Sequence, residues 1–292
     1  MQRSIASEQQ ASEPEATPLR SRSLGTVGIW RLTSLLHRGS WCDLYAAQPA
    51  DAAGSPRSDY AVKLTRQTSH EDPEAALQVR NEAAVAAVAK HQHLIPVLDG
   101  QVGGNRPYIV MPRINGVTLE TLMQRSPQPI PVALWWIRQC SQAVAVLHAA
   151  GWSHGDLKPE NVLVDLSGHV TIVDLGFAQK LGSAYQSRAA EQAEFRGTPA
   201  YAAPELTDGS ASTVTAASDI FSIGLMLRAL LAEREDAFPQ LVELLERMTA
   251  EQASGRPTAG HLAEELLKLE IDTLHLHISP GQPDIFARRD AA

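Results

Sequence analysis

The sequence predicts an α+β chain of two lobes: a small antiparallel β-sheet carrying one helix, then a mainly helical carboxy-terminal part. Three observations predict it. The length, 292 residues, is long for one compact unit and short for three, which favours two lobes of roughly 80–180 residues. Up to Met111, short β-rich runs alternate with turn residues around a single long helical pattern. From Leu119 onward the pattern turns helical.

Met1 to Ser23 is rich in Ser, Glu, Gln and Pro and lacks the apolar stretch of a secretory signal, so it reads as a disordered tail. Ordered pattern begins at Leu24. Val27, Ile29 and Trp30 lead through Leu32, Leu35 and Leu36 to Gly39 and on to Leu44-Tyr45-Ala46, a strand, a turn and a strand. Gln48 to Ser58 has a loop composition, and Tyr60-Ala61-Val62-Lys63-Leu64 resumes as a third strand. Pro73 to Lys90, dense in Ala, Leu, Val and Glu with no internal Pro or Gly, is the helix of this lobe. Val97-Leu98, a turn at Gly103-Gly104-Asn105 and Tyr108 to Met111 form a hairpin that completes the sheet. Helices follow at Val132–Ala150, Asp219–Glu233, Phe238–Met248 and Ala259–Leu269. The expected division is a lobe over 24–111, a connection over 112–117, a second lobe over 118–270 and a tail over 271–292.

Composition narrows the function classes. Hydrophobic content of 44% and charged content of 20% supply a sizeable core. The net charge of −8 and the lack of a basic cluster argue against a nucleic-acid partner. Cys42 and Cys140 are too few for a disulfide framework and show no metal-type spacing, which suits a reducing, cytoplasmic compartment. The longest apolar run, Ile220 to Ala232, contains Arg228 and falls short of the roughly 18–20 residues that cross a bilayer, so no membrane span is expected.

The chemistry is concentrated in His154-Gly155-Asp156-Leu157-Lys158-Pro159-Glu160-Asn161 and, thirteen residues later, Asp174-Leu175-Gly176. Between them Val162-Leu163-Val164 and Val170-Thr171-Ile172-Val173 read as two short strands around a Ser167-Gly168 turn. Loops at the ends of paired strands bring Asp156, Lys158, Asn161 and Asp174 together. Such a set suits phosphoryl transfer, which is positioning plus neutralisation of anionic charge. The Asp174 carboxylate and the Asn161 amide oxygen are suitable ligands for magnesium, a hard cation. Asp156 is placed to orient a hydroxyl and accept its proton, and Lys158 to neutralise the migrating group. Taken singly, each is equally well an ordinary turn residue; the ordered set is not.

These motifs resemble those of the protein kinase family, whose catalytic loop reads H-R-D-L-K-x-x-N and whose metal loop reads D-F-G. The resemblance runs from about Gly28 to Leu269 and implies a bilobal protein-kinase-like fold, with ATP as phosphoryl donor and Mg²⁺, or Mn²⁺ in its place, as metal. It implies that Lys63, in Ala61-Val62-Lys63, meets the ATP phosphates and pairs with Glu82, although a glutamate on a helix is more often solvent-facing. Leu36, Leu44, Ala61 and Leu163 would line the adenine pocket, Met111 would close its back, and Pro112 and Ile114 would present backbone groups to the adenine edge. Ala203-Pro204-Glu205 resembles the A-P-E that ends the activation segment, with Thr198 against Asp156 and Lys158. Asp219 resembles the buried aspartate that tethers the catalytic loop, and Arg256 the late arginine that pairs with Glu205. Lys158 and the short inserts resemble bacterial-type enzymes that phosphorylate serine or threonine of proteins, themselves included.

Four positions depart from the pattern. The glycine-rich loop keeps only Gly39, with His37 and Cys42 where the first and third glycines belong, which implies a stiffer loop and weaker nucleotide grip. That loop is the support for a non-catalytic nucleotide-binding scaffold as the alternative. Gly155 replaces the arginine that binds an activation-loop phosphate, which implies activity without such phosphorylation. Leu175 replaces phenylalanine, one large apolar residue for another. His154-Gly155-Asp156 also resembles small-molecule phosphotransferases, a reading that Lys158 and Ala203-Pro204-Glu205 disfavour.

Overall fold

The computed structural model describes residues 24–274 apart from 53–54, 56, 69, 126, 185–198, 208–212, 233 and 235–237. The amino-terminal lobe is one antiparallel sheet. Its strands are β1 (Thr26–Val27), β2 (Trp30–Arg38), β3 (Cys42–Pro49), β4 (Tyr60–Thr65), β5 (Asp99–Gln101) and β6 (Tyr108–Pro112), ordered β1-β2-β3-β4-β6-β5. β2 pairs with β3 and β3 with β4, neighbours in sequence, whereas β4 pairs with β6 across the intervening α1 and β5.

Helix α1 (Pro73–Val88) crosses one face of this sheet. The Asp72 carboxylate accepts from the Ala75 N–H at 2.9 Å and Pro73 opens the first turn, a start that satisfies one orphan donor and loses none. Val79 and Val85 are fully buried, and burying a side chain of this type contributes about 1.5–3 kcal/mol.

The second lobe opens with β7 (Gly116–Thr118), α2 (Leu119–Arg125) and the long α3 (Ile130–Ala149). Then come β8 (Trp152–Ser153), β9 (Val162–Asp165), β10 (Val170–Ile172) and β11 (Gln179–Lys180), followed by α4 (Pro204–Thr207), α5 (Ala217–Leu231), α6 (Pro239–Met248) and α7 (Ala259–Leu274). The strands form two small antiparallel sheets, β10-β9-β7 and β11-β8. A single apolar core joins α3, α5, α6 and α7, with Leu134, Ile137, Ile223, Met226, Leu227 and Leu244 all essentially inaccessible. No described helix is long and apolar enough to cross a membrane.

Two backbone hydrogen bonds tie the segment after α1 to β10: Ile95 N–H donates to Ile172 at 3.0 Å, and Ile172 N–H to His93 at 2.8 Å. This seam fixes the start of the Asp174-Leu175-Gly176 loop relative to the upper lobe. Helix α7 runs to Leu274, past the expected end at Leu269, because Arg138 of α3 forks onto Glu270 at 2.7 and 3.3 Å and Thr273 is buried beside the core. Strand β7 carries no β-rich run of its own and exists because β9 offers a partner: Val117 lies opposite Val164.

Candidate active site

The floor of the site is the loop between β8 and β9. Asp219, near the start of α5, is buried beneath it and accepts from His148 Nε2 at 2.8 Å, Ser153 Oγ at 3.0 Å, His154 N–H at 2.8 Å and Gly155 N–H at 3.1 Å. Burial alone would push this carboxyl up; the donors around it, His148 first, outweigh burial and hold it below the usual carboxylate range. Asp219 therefore stabilises the fold above the unfolded-chain value of about 3.9, and that stability is lost as pH falls through its lower folded value. Thermal melts between pH 7 and 3 should show a component of acid sensitivity in the wild-type chain that is missing from Asp219→Asn; parallel pH profiles would contradict this.

With its backbone held from below, the loop presents Asp156 upward. Lys158 Nζ lies 2.9 Å from Asp156 Oδ2, and Asn161 Nδ2 donates to the Asp156 backbone oxygen at 2.8 Å and to Oδ2 at 3.2 Å. Asn161 thus spends its N–H groups on Asp156, which turns its amide oxygen into the atom left for a cation. Gly155 has φ of +80°, and a Cβ there would lie 2.5 Å from the Phe177 backbone oxygen. A side chain at this position would be strained and would displace Phe177.

The roof meets the floor at Lys63. Its Nζ lies 2.7 Å from Glu82 Oε2 on α1 and 2.7 Å from Asp174 Oδ1 at the end of β10. Burial would lower the Lys63 pKa, but Asp174 and Glu82 raise it above the usual lysine range and keep the ammonium charged. Burial likewise works against Asp174, and Lys63 outweighs it, holding that carboxyl below its ordinary range. Burial pushes Glu82 upward, against the pull of the same ammonium. The solvent-facing alternative for Glu82 is excluded: the residue is 1% exposed. Asp174 adopts φ 65°, ψ 71°, a left-handed conformation that aspartate tolerates. Asn81, one position before Glu82, donates to the backbone oxygens of Gly176 at 3.0 Å and Ala178 at 2.6 Å, so α1 grips the metal loop by its main chain as well.

Ala61 lies opposite Met111 and Lys63 opposite Leu44 in the sheet. Leu44, Ala61, Met111 and Ile114 share one apolar cluster with Val173. Leu36, on β2, and Leu163, on β9, stand outside that cluster, and Leu36 is 38% exposed. Pro112 ends β6, and Arg113 N–H donates to Asp59 at 2.8 Å, which fixes the strand exit before Ile114. Cys42 is buried, and its thiol is pushed up to about 11 by burial, with Glu82 and Asp174 adding to the effect against Lys63. It is a protonated filler where the pattern has glycine. Glu205 accepts a two-pronged hydrogen bond from Arg256 at 2.7 and 2.8 Å. Thr198 lies outside the described residues.

A shallow hollow borders Asp156, formed with Tyr201, Ala202, Leu206 and Ser222. A second cavity, about 250 Å³ between Val27, Gly28 and the β5–β6 turn, contains none of the site residues. Sequence reasoning missed Asn81, His148, Trp41 and Phe177. The first two carry no signal, since Asn on a helix and His near a helix end are ordinary; the two aromatics signal burial and nothing more.

The arrangement therefore presents a carboxylate with a lysine beside it, an amide and a second carboxylate in oxygen-donor positions, and a charged lysine under the sheet. Comparison with known proteins agrees in kind. A model of the protein kinase domain matches residues 52–242. The chain is 32% identical over 209 residues to serine/threonine-protein kinase PknE of Mycobacterium bovis, covering 71% of this chain and 35% of that protein. It is 34% identical over 178 residues to PknB of Mycolicibacterium smegmatis, covering 59% and 28%. It is 32% identical over 221 residues to PkaA of Streptomyces coelicolor, covering 74% and 38%. The chain spans about a third of the length of the curated relatives it matches.

Proposed function

Because the chain belongs to the protein kinase family, we propose that it transfers the γ-phosphoryl group of ATP to serine or threonine hydroxyls of proteins, itself included. The observation that carries this reading is Lys63 bridging Glu82 and Asp174 at 2.7 Å each, with Asp156, Lys158 and Asn161 gathered by hydrogen bonds and an ion pair. Lys63 then meets the α- and β-phosphates as a permanent cation. Asn161 and Asp174 would hold Mg²⁺, or Mn²⁺ in its place. Their chemistry fits: Asn161 has its amide oxygen to give, and the Asp174 side chain is one-third exposed (34%). The bound metal supplies charge neutralisation on the transferring phosphates.

In this reading the acceptor hydroxyl meets the Asp156 carboxylate. Asp156 accepts its proton as the oxygen attacks the γ-phosphorus, the bond to the β-phosphate oxygen breaks, and ADP leaves. Lys158, held at Asp156, stands ready to neutralise the migrating group. A cytoplasmic setting without a nucleic-acid partner belongs to the same proposal and is supported by two buried, unpaired cysteines and by net charge.

The test is incubation of the phosphatase-treated chain with γ-labelled ATP, magnesium and a protein substrate, beside Lys63→Ala. Label is expected on serine or threonine in the wild type only. A wild-type chain that binds nucleotide without transferring label would overturn the reading, and label that appears only after the segment 181–198 is phosphorylated would overturn the expectation attached to Gly155.

A further inference from the structure

The connection 39–41 between β2 and β3 keeps its own glycine but lacks the two that would flank it, at His37 and Cys42, yet it is restrained from three sides. Gly39 N–H donates to the Cys42 backbone oxygen at 3.0 Å and closes the turn. A Cβ at Gly39 would lie 2.5 Å from that oxygen, which is the reason this glycine stands where the others do not. Arg66, just past β4, lies on the outer side. Its N–H donates to the Trp41 oxygen at 2.9 Å, and its guanidinium reaches the oxygens of Gly39 at 3.3 Å and Ser40 at 3.5 Å. On the other side the Trp41 ring lies 5.7 Å from the Phe177 ring, centre to centre, at 45°.

Phe177 directly follows the metal loop, and its backbone oxygen is packed against Gly155 of the catalytic loop. Trp41, Phe177 and Gly155 therefore form one line from the phosphate loop, past the metal loop, to the catalytic loop. The absence of a side chain at 155 leaves room for the Phe177 backbone oxygen, from which the ring extends to Trp41.

We propose that Trp41 is a nucleotide-positioning residue that latches the phosphate loop onto Phe177, with Arg66 clamping the loop backbone, in place of the closure that glycines give elsewhere. The proposal rests on the kinase reading above. The latch acts on the bound nucleotide through the loop, so its removal costs affinity and leaves the proton-accepting Asp156 in place. An aromatic pair of this kind contributes enough to change nucleotide affinity about two- to twelvefold.

The test is a double-mutant cycle with Trp41→Ala, Phe177→Ala and the pair. Binding of Mg·ADP is read by thermal shift and by titration, and KM for ATP and kcat by label transfer. Each single variant is expected to weaken Mg·ADP binding and raise KM by that factor while kcat changes less. The pair is expected to be no worse than the weaker single variant, and Trp41→Phe to recover most of the affinity. Unchanged affinity in Trp41→Ala, or losses that simply add in the pair, would overturn the latch while leaving the kinase reading intact. A wild-type chain that neither binds Mg·ADP nor transfers label would overturn both.

Discussion

Asp156→Asn is expected to lower kcat for phosphoryl transfer by about 10²–10⁴-fold, the range that a positioned general base supplies. The substitution is nearly isosteric. Its amide oxygen can still accept from Lys158 or Asn161, which now meet Asp156 Oδ2 at 2.9 and 3.2 Å, so the loop keeps its shape. What it removes is an atom able to take the proton of the acceptor hydroxyl. Affinity for Mg·ADP should therefore stay within about twofold of wild type, on the principle that an interaction used only in the transition state leaves ground-state binding alone. Initial rates of label transfer at saturating ATP, with nucleotide titrations beside them, separate the two quantities. Activity within a factor of ten of wild type would remove Asp156 from the mechanism.

The largest effect on stability is expected at Arg256. Its side chain is completely buried, forks onto Glu205, donates to the backbone oxygens of Ala250, Ala217 and Glu251, and lies over the Phe221 ring at 4.9 Å. Arg256→Ala would leave a carboxylate and several buried carbonyls without their donor. Losing one partner of a buried pair costs about 3–5 kcal/mol. Glu205 is 18% exposed, so water offsets part of that cost and the lower end is expected. Arg256→Lys keeps the charge but not the planar fork and should fall between. Urea denaturation read by tryptophan fluorescence gives the difference; a loss under about 1 kcal/mol would mean that the pair is not held as described. Because Glu205 begins α4, directly after the segment expected to carry Thr198, the variant should also lose activity before it unfolds.

The lobes were legible because their local signals agree with their tertiary fate. Tyr60 to Leu64 alternates β-forming residues and is a strand between two others; Pro73 to Val88 has its cap, its proline and its helix formers, and is a helix. The candidate catalytic set was legible because phosphoryl transfer demands particular side chains at positions close together in the chain: Asp156, Lys158 and Asn161 lie within six residues of loop. Glu82 was a different matter. Nothing local distinguishes a buried glutamate from an exposed one, and only the arrival of Lys63 and Asp174 from two other elements makes its burial tolerable.

The same physics separates what remained hidden. Strand β7 is only three residues long, too short to stand out in sequence, and forms because β9 lies beside it. The last turn of α7 depends on Arg138, 132 residues earlier in the chain. The replacement of two glycines at His37 and Cys42 reads, in sequence, as lost grip, since composition reports flexibility and not restraint. The sequence by itself determined the order of elements and which side chains are candidates for the chemistry, because both follow from short-range pattern and from residue type. The tertiary structure alone decided that Arg66 meets the turn after β2, that Trp41 lies against Phe177 and that Gly155 leaves room for the Phe177 backbone oxygen, because those contacts join segments whose approach no local spacing encodes.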